Sequence, residues 1–177
     1  SDVCSSDLVE LARQIEKIAG FTDLKRGITV NPGVIRGGSR TNVIAAEAAV
    51  DVDMRIAKLR DAALLERKFK SLKAVDKRCR VEVSGGLNRP PMERTKGVAE
   101  LFKTAQGLAA RHLERRIEES ATGGGSDGNF TAGLGVPTLD GIGGVGEGAH
   151  AVNESILEDR IADRTALLAL LIHTLGQ

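Results

Sequence analysis

Residues 44–56 read IAAEAAVDVDMRI. Every even-numbered position in this stretch is apolar, whereas several odd-numbered positions carry a charge, including Arg55. An alternation with a period of two is typical of a β-strand that buries one face and exposes the other. The pattern therefore predicts a long strand with Arg55 on its solvent face and with Ile44, Val52 and Ile56 buried beneath helices.

The segments around this strand have the patterns of two helices and two more strands. Apolar residues at helical spacing predict one helix over 8–19. Asp61 as an N-cap, followed by an apolar stripe, predicts another over about 61–75. Strands are predicted over 27–36 and 79–83. The order helix, strand, strand, helix, strand favours an antiparallel sheet with two helices covering one face.

Two adjacent prolines, Pro90 and Pro91, interrupt this pattern and mark a predicted boundary between domains 1–90 and 91–177. The second part contains three predicted helices, over 95–112, just after the glycine loop at 123–125, and over 158–175. Two short strands are predicted, over 117–121 and 136–139. The last helix places four apolar residues on one predicted face: Leu168, Leu171, Ile172 and Leu175. Because helix and strand alternate, we predict the α/β class, with an α+β unit in the first part.

The composition excludes several classes of partner. The chain has 25 basic and 24 acidic residues, and only 2% of its residues are aromatic. It therefore lacks both the basic field and the stacking surfaces that bind nucleic acid. No run of 18 apolar residues occurs, so no membrane span is predicted. The two cysteines, Cys4 and Cys79, form no CxxC pair, which is typical of a reduced, cytoplasmic protein.

Two glycine-rich loops lie in the second part. Residues 141–146 spell GIGGVG, but the apolar helix of a dinucleotide site does not follow, so no nucleotide site is predicted. Residues 122–129 read TGGGSDGN. Their backbone amides suit either an anion at the start of the next helix or a tight turn in which Ser126 or Asp127 caps that helix. The residues alone leave both interpretations open.

His150 lies in a loop, whereas the other two histidines fall in predicted helices. Its position between Glu147 and Glu154 suits either a metal ligand or an ordinary surface residue. No HExxH motif and no paired Cys/His spacing accompanies it, so local motifs build no metal site.

Several separated motifs, in the same order along the chain, resemble a family of zinc hydrolases. That family includes glutamate carboxypeptidase, acetylornithine deacetylase, succinyl-diaminopimelate desuccinylase and the aminoacylases. The motifs that resemble the end of its catalytic domain are 124–130, 135–141 and 148–150. The motifs that resemble its lid, or dimerisation, domain are 33–38, 41–44 and 53–55.

The resemblance implies roles for seven residues. His150 matches the family's last zinc ligand. Arg55 and Asn42 match lid residues that bind the substrate carboxylate and the region of the reacting carbonyl, and both are expected to face solvent on the lid sheet. The other matched positions are further contacts to the acidic end of the substrate: Arg89, Gly124, Gly125 and Ser126. No catalytic acid or base is implied among these residues.

The resemblance also implies a bridged pair of zinc ions that activates water and polarises an amide carbonyl, with a Glu as general base. In the family, that Glu and the other zinc ligands belong to the N-terminal half of the chain. We therefore expect this chain to be a fragment that is inactive by itself. Residues 1–7 resemble nothing in the family.

The implied reaction is hydrolysis of a peptide or N-acyl amide bond next to a free carboxylate, as in glutamate carboxypeptidase. Deacylation of N-acyl amino acids is the alternative reaction, and a non-catalytic dimerisation module is the alternative of another class. The implied partners are a small carboxylate-bearing peptide or N-acyl amino acid, and a second copy of the chain that binds through the lid.

Overall fold

The structure, a computed structural model, describes residues 6–177 and divides them into two compact units. The first unit ends at Glu93 and the second begins at Arg94. Helices and short antiparallel sheets make up both units. Most of the segment 1–7 lies outside the described residues, although Asp7 begins the first helix. The assignment of the two units to a lid and a catalytic part stays a prediction.

The first unit contains two helices and two strands: α1 (Asp7–Ala19), β1 (Thr29–Gly37), β2 (Ala48–Arg55) and α2 (Ala62–Lys70). Both predicted helices are confirmed, and so is the strand predicted over 27–36. The helix α2 ends earlier than the sequence pattern indicated.

The strands β1 and β2 form an antiparallel hairpin. Thr29 lies opposite Arg55 at one end, and Gly37 lies opposite Ala48 at the other. A shift in register interrupts the pairing near the middle of β1. The loop that joins the strands therefore leaves the hairpin at the end away from Arg55.

The alternation predicted over 44–56 is confirmed only from Ala48 onward. Val52 and Ile56 are half-buried and pack against the core, and Arg55 is exposed. Ile44 is 51% exposed, so the prediction that it is buried was wrong. Ile44 precedes β2 in the loop, where no strand pairing holds its side chain against the helices.

The strand predicted over 79–83 was also wrong, because that segment has no regular secondary structure. Cys79 and Val81 are half-buried, as an alternating strand requires. A strand also needs a neighbour that completes its backbone hydrogen bonds. In the described part of the chain β1 and β2 pair only with each other, so the sheet has two strands where three were predicted.

The core of the first unit lies between the hairpin and the two helices. Its buried residues come from α1, from β1 and the turn before it, and from α2: Ile18, Ile28, Val30, Leu65 and Phe69. The ring of Phe69 meets that of Phe21 edge to face, with 5.4 Å between centroids. Aromatic rings favour this geometry because the positive edge of one meets the negative face of the other. Both helices therefore cover one face of the sheet, as predicted.

A buried carboxylate on α1 fixes the chain that follows α2. Glu10 is 4% exposed and accepts hydrogen bonds from the amides of Val75 and Asp76 at 2.9 and 3.0 Å. Gln14 donates to the same carboxylate at 2.5 Å and to the carbonyl of Lys73 at 3.0 Å. Burial by itself would raise the pKa of Glu10, but the hydrogen bonds it accepts lower that pKa below its usual value.

A second buried carboxylate joins the turn before β1 to the start of α2. Asp61 is 1% exposed and accepts a hydrogen bond from the guanidinium of Arg26. The turn holds Arg26 in place, because its amide donates to Asp23 at 3.3 Å and Gly27 adopts a φ of +68°. Asp61 precedes α2 as predicted, but its side chain makes no capping hydrogen bond.

We expect Arg26→Ala to lower the free energy of unfolding of the first unit by about 2 kcal/mol. The substitution leaves the Asp61 carboxylate buried without its cation. The effect lies below the usual range for a buried pair because solvent screens the Arg26 side chain, which is 46% exposed. Urea unfolding followed by circular dichroism measures the change. Lys25→Ala, on the same turn, is the matched control, and equal midpoints for the two variants would contradict the prediction.

The second unit contains three helices and two very short strands: α3 (Lys96–Leu113), α4 (Gly128–Gly133), β3 (Gly146–Glu147), β4 (Ser155–Ile156) and α5 (Ile161–Leu175). The two long helices are confirmed, and Thr95 caps α3 by accepting a hydrogen bond from the amide of Val98. The strands predicted over 117–121 and 136–139 were wrong, since neither segment pairs with another strand. The carbonyl of Ile117 instead accepts a hydrogen bond from the Gln106 side chain.

The helices α3 and α5 pack through small residues on α3. The buried residues at this contact are Ala105, Ala109, Leu167 and Leu171. Of the four apolar residues on the predicted face of α5, only Leu171 is buried, whereas Leu168, Ile172 and Leu175 are 47%, 65% and 57% exposed. Apolar residues of α5 occur on most sides of the helix, so periodicity alone does not predict which side packs against α3.

Candidate active site

Arg55 is the last residue of β2 and lies on the exposed side of the hairpin. It occupies an odd position of the alternating stretch, opposite Thr29. Its Nε donates a hydrogen bond to Oδ2 of Asp53, two residues earlier on the same face, at 3.0 Å. Both side chains are about 60% exposed. The strand therefore presents a guanidinium that a neighbouring carboxylate orients and that solvent reaches.

A second arginine pair on the same face was missed by the sequence reasoning. Arg36 on β1 donates to Oδ2 of Asp51 on β2 at 2.6 Å. The hydrogen bond from Arg36, and then its charge, hold the pKa of Asp51 below its usual value. The alternation over 44–56 already predicted that Asp51 lies on the exposed face. That Arg36 lies beside it follows only from the register of the hairpin. The exposed face thus carries two arginines and two carboxylates.

Asn42 does not lie on the sheet. It is exposed, as predicted, but it belongs to a turn in the loop between β1 and β2. That loop begins beyond the pair Gly37 and Ala48, whereas Arg55 lies at the other end of the hairpin. The expectation that Asn42 and Arg55 share the sheet surface was therefore wrong for Asn42.

Arg89 is exposed in the connector that precedes the end of the first unit. Its neighbours in sequence, Pro90 and Pro91, are half-buried. Proline fixes its own φ and restricts the residue before it, so the backbone at Arg89 is stiff. The exposed position of Arg89 suits either a role in binding or an ordinary surface residue.

The glycine loop of the second unit closes on itself. The amide of Gly124 donates to Oγ1 of Thr122 at 3.2 Å, and the amide of Ser126 donates to Oδ1 of Asn129 at 2.7 Å. The amide of Gly128 donates to Oγ of Ser126 at 3.1 Å. These bonds favour the tight turn with a capping serine over an anion site, because three of the amides already have acceptors. Asn129, buried at 9% exposure, organises the turn and was assigned no role from the sequence.

His150 lies at the tip of the hairpin formed by β3 and β4. It is exposed, and its φ of +69° is in the left-handed region, which few residues other than glycine adopt. Its amide donates to Oε2 of Glu154 at 3.4 Å, and the amide of Ala151 donates to the carbonyl of Gly148 at 2.8 Å. A backbone held in this region costs free energy, and such positions are frequent at functional sites.

The predicted site residues divide between the two units. Asn42, Arg55 and Arg89 belong to the first, and the glycine loop and His150 belong to the second. Among residues 6–177 no three His, Cys, Asp or Glu side chains lie close enough together to hold a metal ion. A zinc site needs at least three protein ligands. His150 with its described neighbours does not make a complete site, so no catalytic step through a metal is derived from this chain.

The sequence profile of a group described as peptidase family M20/M25/M40 matches residues 6–174. The chain belongs to this peptidase family. The resemblance drawn from the motifs is confirmed, and hydrolase is the activity class of the family. Members of the M20 family are generally metal-dependent.

Two curated relatives support the M20 assignment. Carboxypeptidase G2 of Pseudomonas sp. (strain RS-16) is 27% identical over 174 residues, which are 96% of this chain and 41% of the relative. Succinyl-diaminopimelate desuccinylase of Stenotrophomonas maltophilia (strain R551-3) is 30% identical over 140 residues, which are 78% of this chain and 36% of the relative. The M20 chain therefore spans less than half the length of the relatives it matches.

A solved structure supports the fold of the M20 chain. Aminopeptidase PepT from Bacillus cereus ATCC 10987 superposes with a TM-score of 0.75 at 24% identity, over 97% of this chain and 46% of that one. The predicted α/β class is confirmed, with small antiparallel sheets. Among residues 6–177 no helix is both long and apolar enough to cross a membrane.

Proposed function

We propose that the complete reading frame, meaning the gene-encoded polypeptide that contains these 177 residues, hydrolyses a peptide bond next to a free carboxylate. The observation that carries the proposal is the position of Arg55, exposed at the end of β2 and oriented by Asp53. Membership of a peptidase family and similarity to carboxypeptidase G2 supply the reaction class. In this proposal the first unit is the lid, and the second unit is part of the catalytic domain.

The guanidinium of Arg55 suits a carboxylate because its planar N–H groups can donate two parallel hydrogen bonds. Asp53 accepts from Nε, so it limits the orientations of the guanidinium plane before a substrate arrives. Asp53 is about 60% exposed, so solvent screens its ion pair with Arg55 and little free energy is needed for a substrate carboxylate to displace it.

The remaining assignments are further proposed contacts to the substrate, considered unit by unit. In the first unit, Asn42 would contact the region of the reacting carbonyl, and Arg89 would give a second cation for the acidic end. In the second unit, the loop at Gly124, Gly125 and Ser126 would also contact the acidic end. Because the amides of Gly124 and Ser126 already donate within the loop, its contribution would come from shape and from the remaining backbone groups.

His150 is the proposed metal ligand of this chain. When bound, a pair of zinc ions would supply Lewis-acid polarisation of the carbonyl and an activated water. The exposed position of His150 at the tip of a short hairpin leaves its ring accessible to ligands from elsewhere in the polypeptide. We also propose that the first unit mediates a homodimer, since β1 and β2 each leave one edge unpaired among residues 6–177.

Deacylation of an N-acyl amino acid is the second candidate reaction. The similarity to succinyl-diaminopimelate desuccinylase, at 30% identity, favours it. In both reactions the substrate carries a free carboxylate next to the amide bond that is cleaved, so Arg55 would have the same role in each. The candidates differ in the group on the other side of the bond.

The proposed function is tested by purifying the complete reading frame and measuring kcat/KM for two substrates. One is a dipeptide with a C-terminal glutamate, and the other is an N-succinyl amino acid. We expect the dipeptide to be preferred by at least about tenfold, a difference of about 1.4 kcal/mol in transition-state binding. The reverse preference would assign the deacylase reaction. No turnover of either, with no bound zinc by elemental analysis, would favour a non-catalytic dimerisation module.

The 177-residue chain by itself is expected to hydrolyse neither substrate. Resemblance places one metal ligand in it, His150, and a catalytic zinc needs at least three. The measurement is turnover in the presence of added zinc, with the complete reading frame as the positive control. Zinc-dependent turnover by the chain that is lost in His150→Ala would contradict this prediction.

A further inference from the structure

We propose that a groove on the first unit binds an acidic segment of a partner polypeptide. The groove has a volume of about 560 Å³ and lies where the last turns of α1 and α2 come together. Three lysines and two apolar side chains define its lining: Lys17, Lys68, Lys73, Phe21 and Leu72. We call this surface the lysine groove. It shares no residue with the proposed substrate site.

The charge of the lysine groove is uncompensated. Its lining includes no acidic residue, and none of its three lysines forms an ion pair with another residue in the range 6–177. By contrast, the nearby Lys70 on α2 is paired with Glu66 at 2.5 Å and lies outside the lining. A cluster of one sign of charge beside apolar surface attracts ligands of the opposite charge.

The fold fixes the backbone that carries the lysines and the position of one ammonium group. The Lys68 ammonium lies 5.1 Å from the centroid of the Phe21 ring, within cation–π range. The backbone carbonyl of Lys73 accepts a hydrogen bond from the side chain of Gln14, which is 3% exposed. Shortly after Lys73, the amides of Val75 and Asp76 donate hydrogen bonds to the carboxylate of Glu10. The lining is therefore preorganised, so binding loses less conformational entropy than it would at a mobile surface.

Favourable interaction with helix dipoles explains only part of this cluster. Lys17 and Lys68 lie in the last turns of α1 and α2, where a cation stabilises the helix end. Lys73 lies beyond the end of α2 and has no such role.

The occupant suggested by this lining is a peptide with several carboxylates around an apolar residue. One cation on α1 and two at or just beyond the end of α2 suit carboxylates spaced along a peptide better than one carboxylate on a small molecule. An apolar side chain of the peptide would bury surface against Phe21 and Leu72, which are both half-buried and so still partly open to solvent.

The test measures binding of the labelled peptide Glu-Glu-Leu-Leu-Glu-Glu to the 177-residue chain by fluorescence anisotropy. We expect saturable binding that weakens as salt rises, because the contacts are between exposed charges. The triple substitution Lys17→Gln, Lys68→Gln and Lys73→Gln should weaken binding about tenfold, from two- to threefold for each exposed ion pair. The single variants Lys17→Gln and Lys73→Gln should show the partial effects even if the triple variant does not fold.

Two controls separate the groove from net charge. The triple variant Lys25→Gln, Lys58→Gln and Lys77→Gln removes the same charge from exposed positions of the first unit outside the lining, and it should bind as the parent chain does. The peptide with every Glu replaced by Gln should not bind. Three results would overturn the proposal. They are an equal loss of affinity in both triple variants, binding of the neutral peptide as tight as that of the acidic one, and no binding at about 1 mM peptide. So would self-association of the chain that the groove substitutions abolish, because the occupant would then be a second copy.

Discussion

Replacing Arg55 by alanine in the complete reading frame is expected to lower kcat/KM by about a hundredfold for a substrate with a free carboxylate. Truncating one partner of a hydrogen-bonded charge pair in a binding site costs about 3 kcal/mol, and each 1.4 kcal/mol is a factor of ten. If Arg55 holds the carboxylate equally in the ground state and in the transition state, the loss will appear in KM. Arg55→Lys should lose part of this activity, because lysine keeps the charge but not the planar fork.

Arg36→Ala is the matched control for that experiment. Arg36 lies on the same face of the same hairpin and also pairs with an aspartate, but nothing assigns it to the substrate. Its substitution should change kcat/KM by less than about threefold, as expected for an exposed ion pair. Equal losses in the Arg36 and Arg55 variants would show that the face acts only through its overall charge or stability.

Glu10→Ala is expected to lower the free energy of unfolding of the first unit by about 3 kcal/mol. Hydrogen bonds to charged groups contribute about 1.5–3 kcal/mol each, and the substitution leaves the amides of Val75 and Asp76 without their acceptor. Chemical unfolding of the parent chain and the variant measures the difference. Glu16→Ala, an exposed acidic residue on the same helix, is the matched control and should stay within about 0.5 kcal/mol.

The Glu10 contribution should depend on pH in a defined direction. Since the pKa of Glu10 is lower in the folded chain than in the unfolded chain, the stabilisation is present above the unfolded pKa, about 4.3. It is lost as the pH falls through the lowered pKa of the folded state. The gap between the parent chain and Glu10→Gln should therefore be full at pH 7 and shrink below about pH 4.3. A gap that widens on acidification would contradict this account.

The helices of both units could be predicted from the sequence, whereas three of the five predicted strands do not form. Helices satisfy their own backbone hydrogen bonds, so local periodicity was enough for α1 and α3. A strand depends on a partner that may be distant in sequence. The segments 79–83, 117–121 and 136–139 have strand-like composition, but none has a partner among residues 6–177.

The candidate site residues were proposed from local motifs that resemble the family, but their surroundings could not be predicted in this way. Alternation placed Arg55 on the exposed face, since a strand position determines side-chain direction. It could not place Asn42, because the loop between β1 and β2 has no period. Two contacts could not be read from any single motif, because they depend on the three-dimensional fold. One is the hydrogen bond that Asn129 accepts from a glycine-loop amide, and the other is the pairing of Arg36 with Asp51.

Hydrolysis of two substrates that differ in one group tests the central claim most directly. The complete reading frame would be assayed on a dipeptide with a C-terminal glutamate and on the same dipeptide with its α-carboxylate converted to a carboxamide, with zinc present. The account predicts that the acid is cleaved with a kcat/KM about a hundredfold higher, because only the acid offers the guanidinium an α-carboxylate next to the scissile bond, whereas the side-chain carboxylate is the same in both substrates. It also predicts that Arg55→Ala reduces this ratio to near one. Equal rates on the acid and the amide in the parent protein, or a ratio that Arg55→Ala leaves unchanged, would contradict the account.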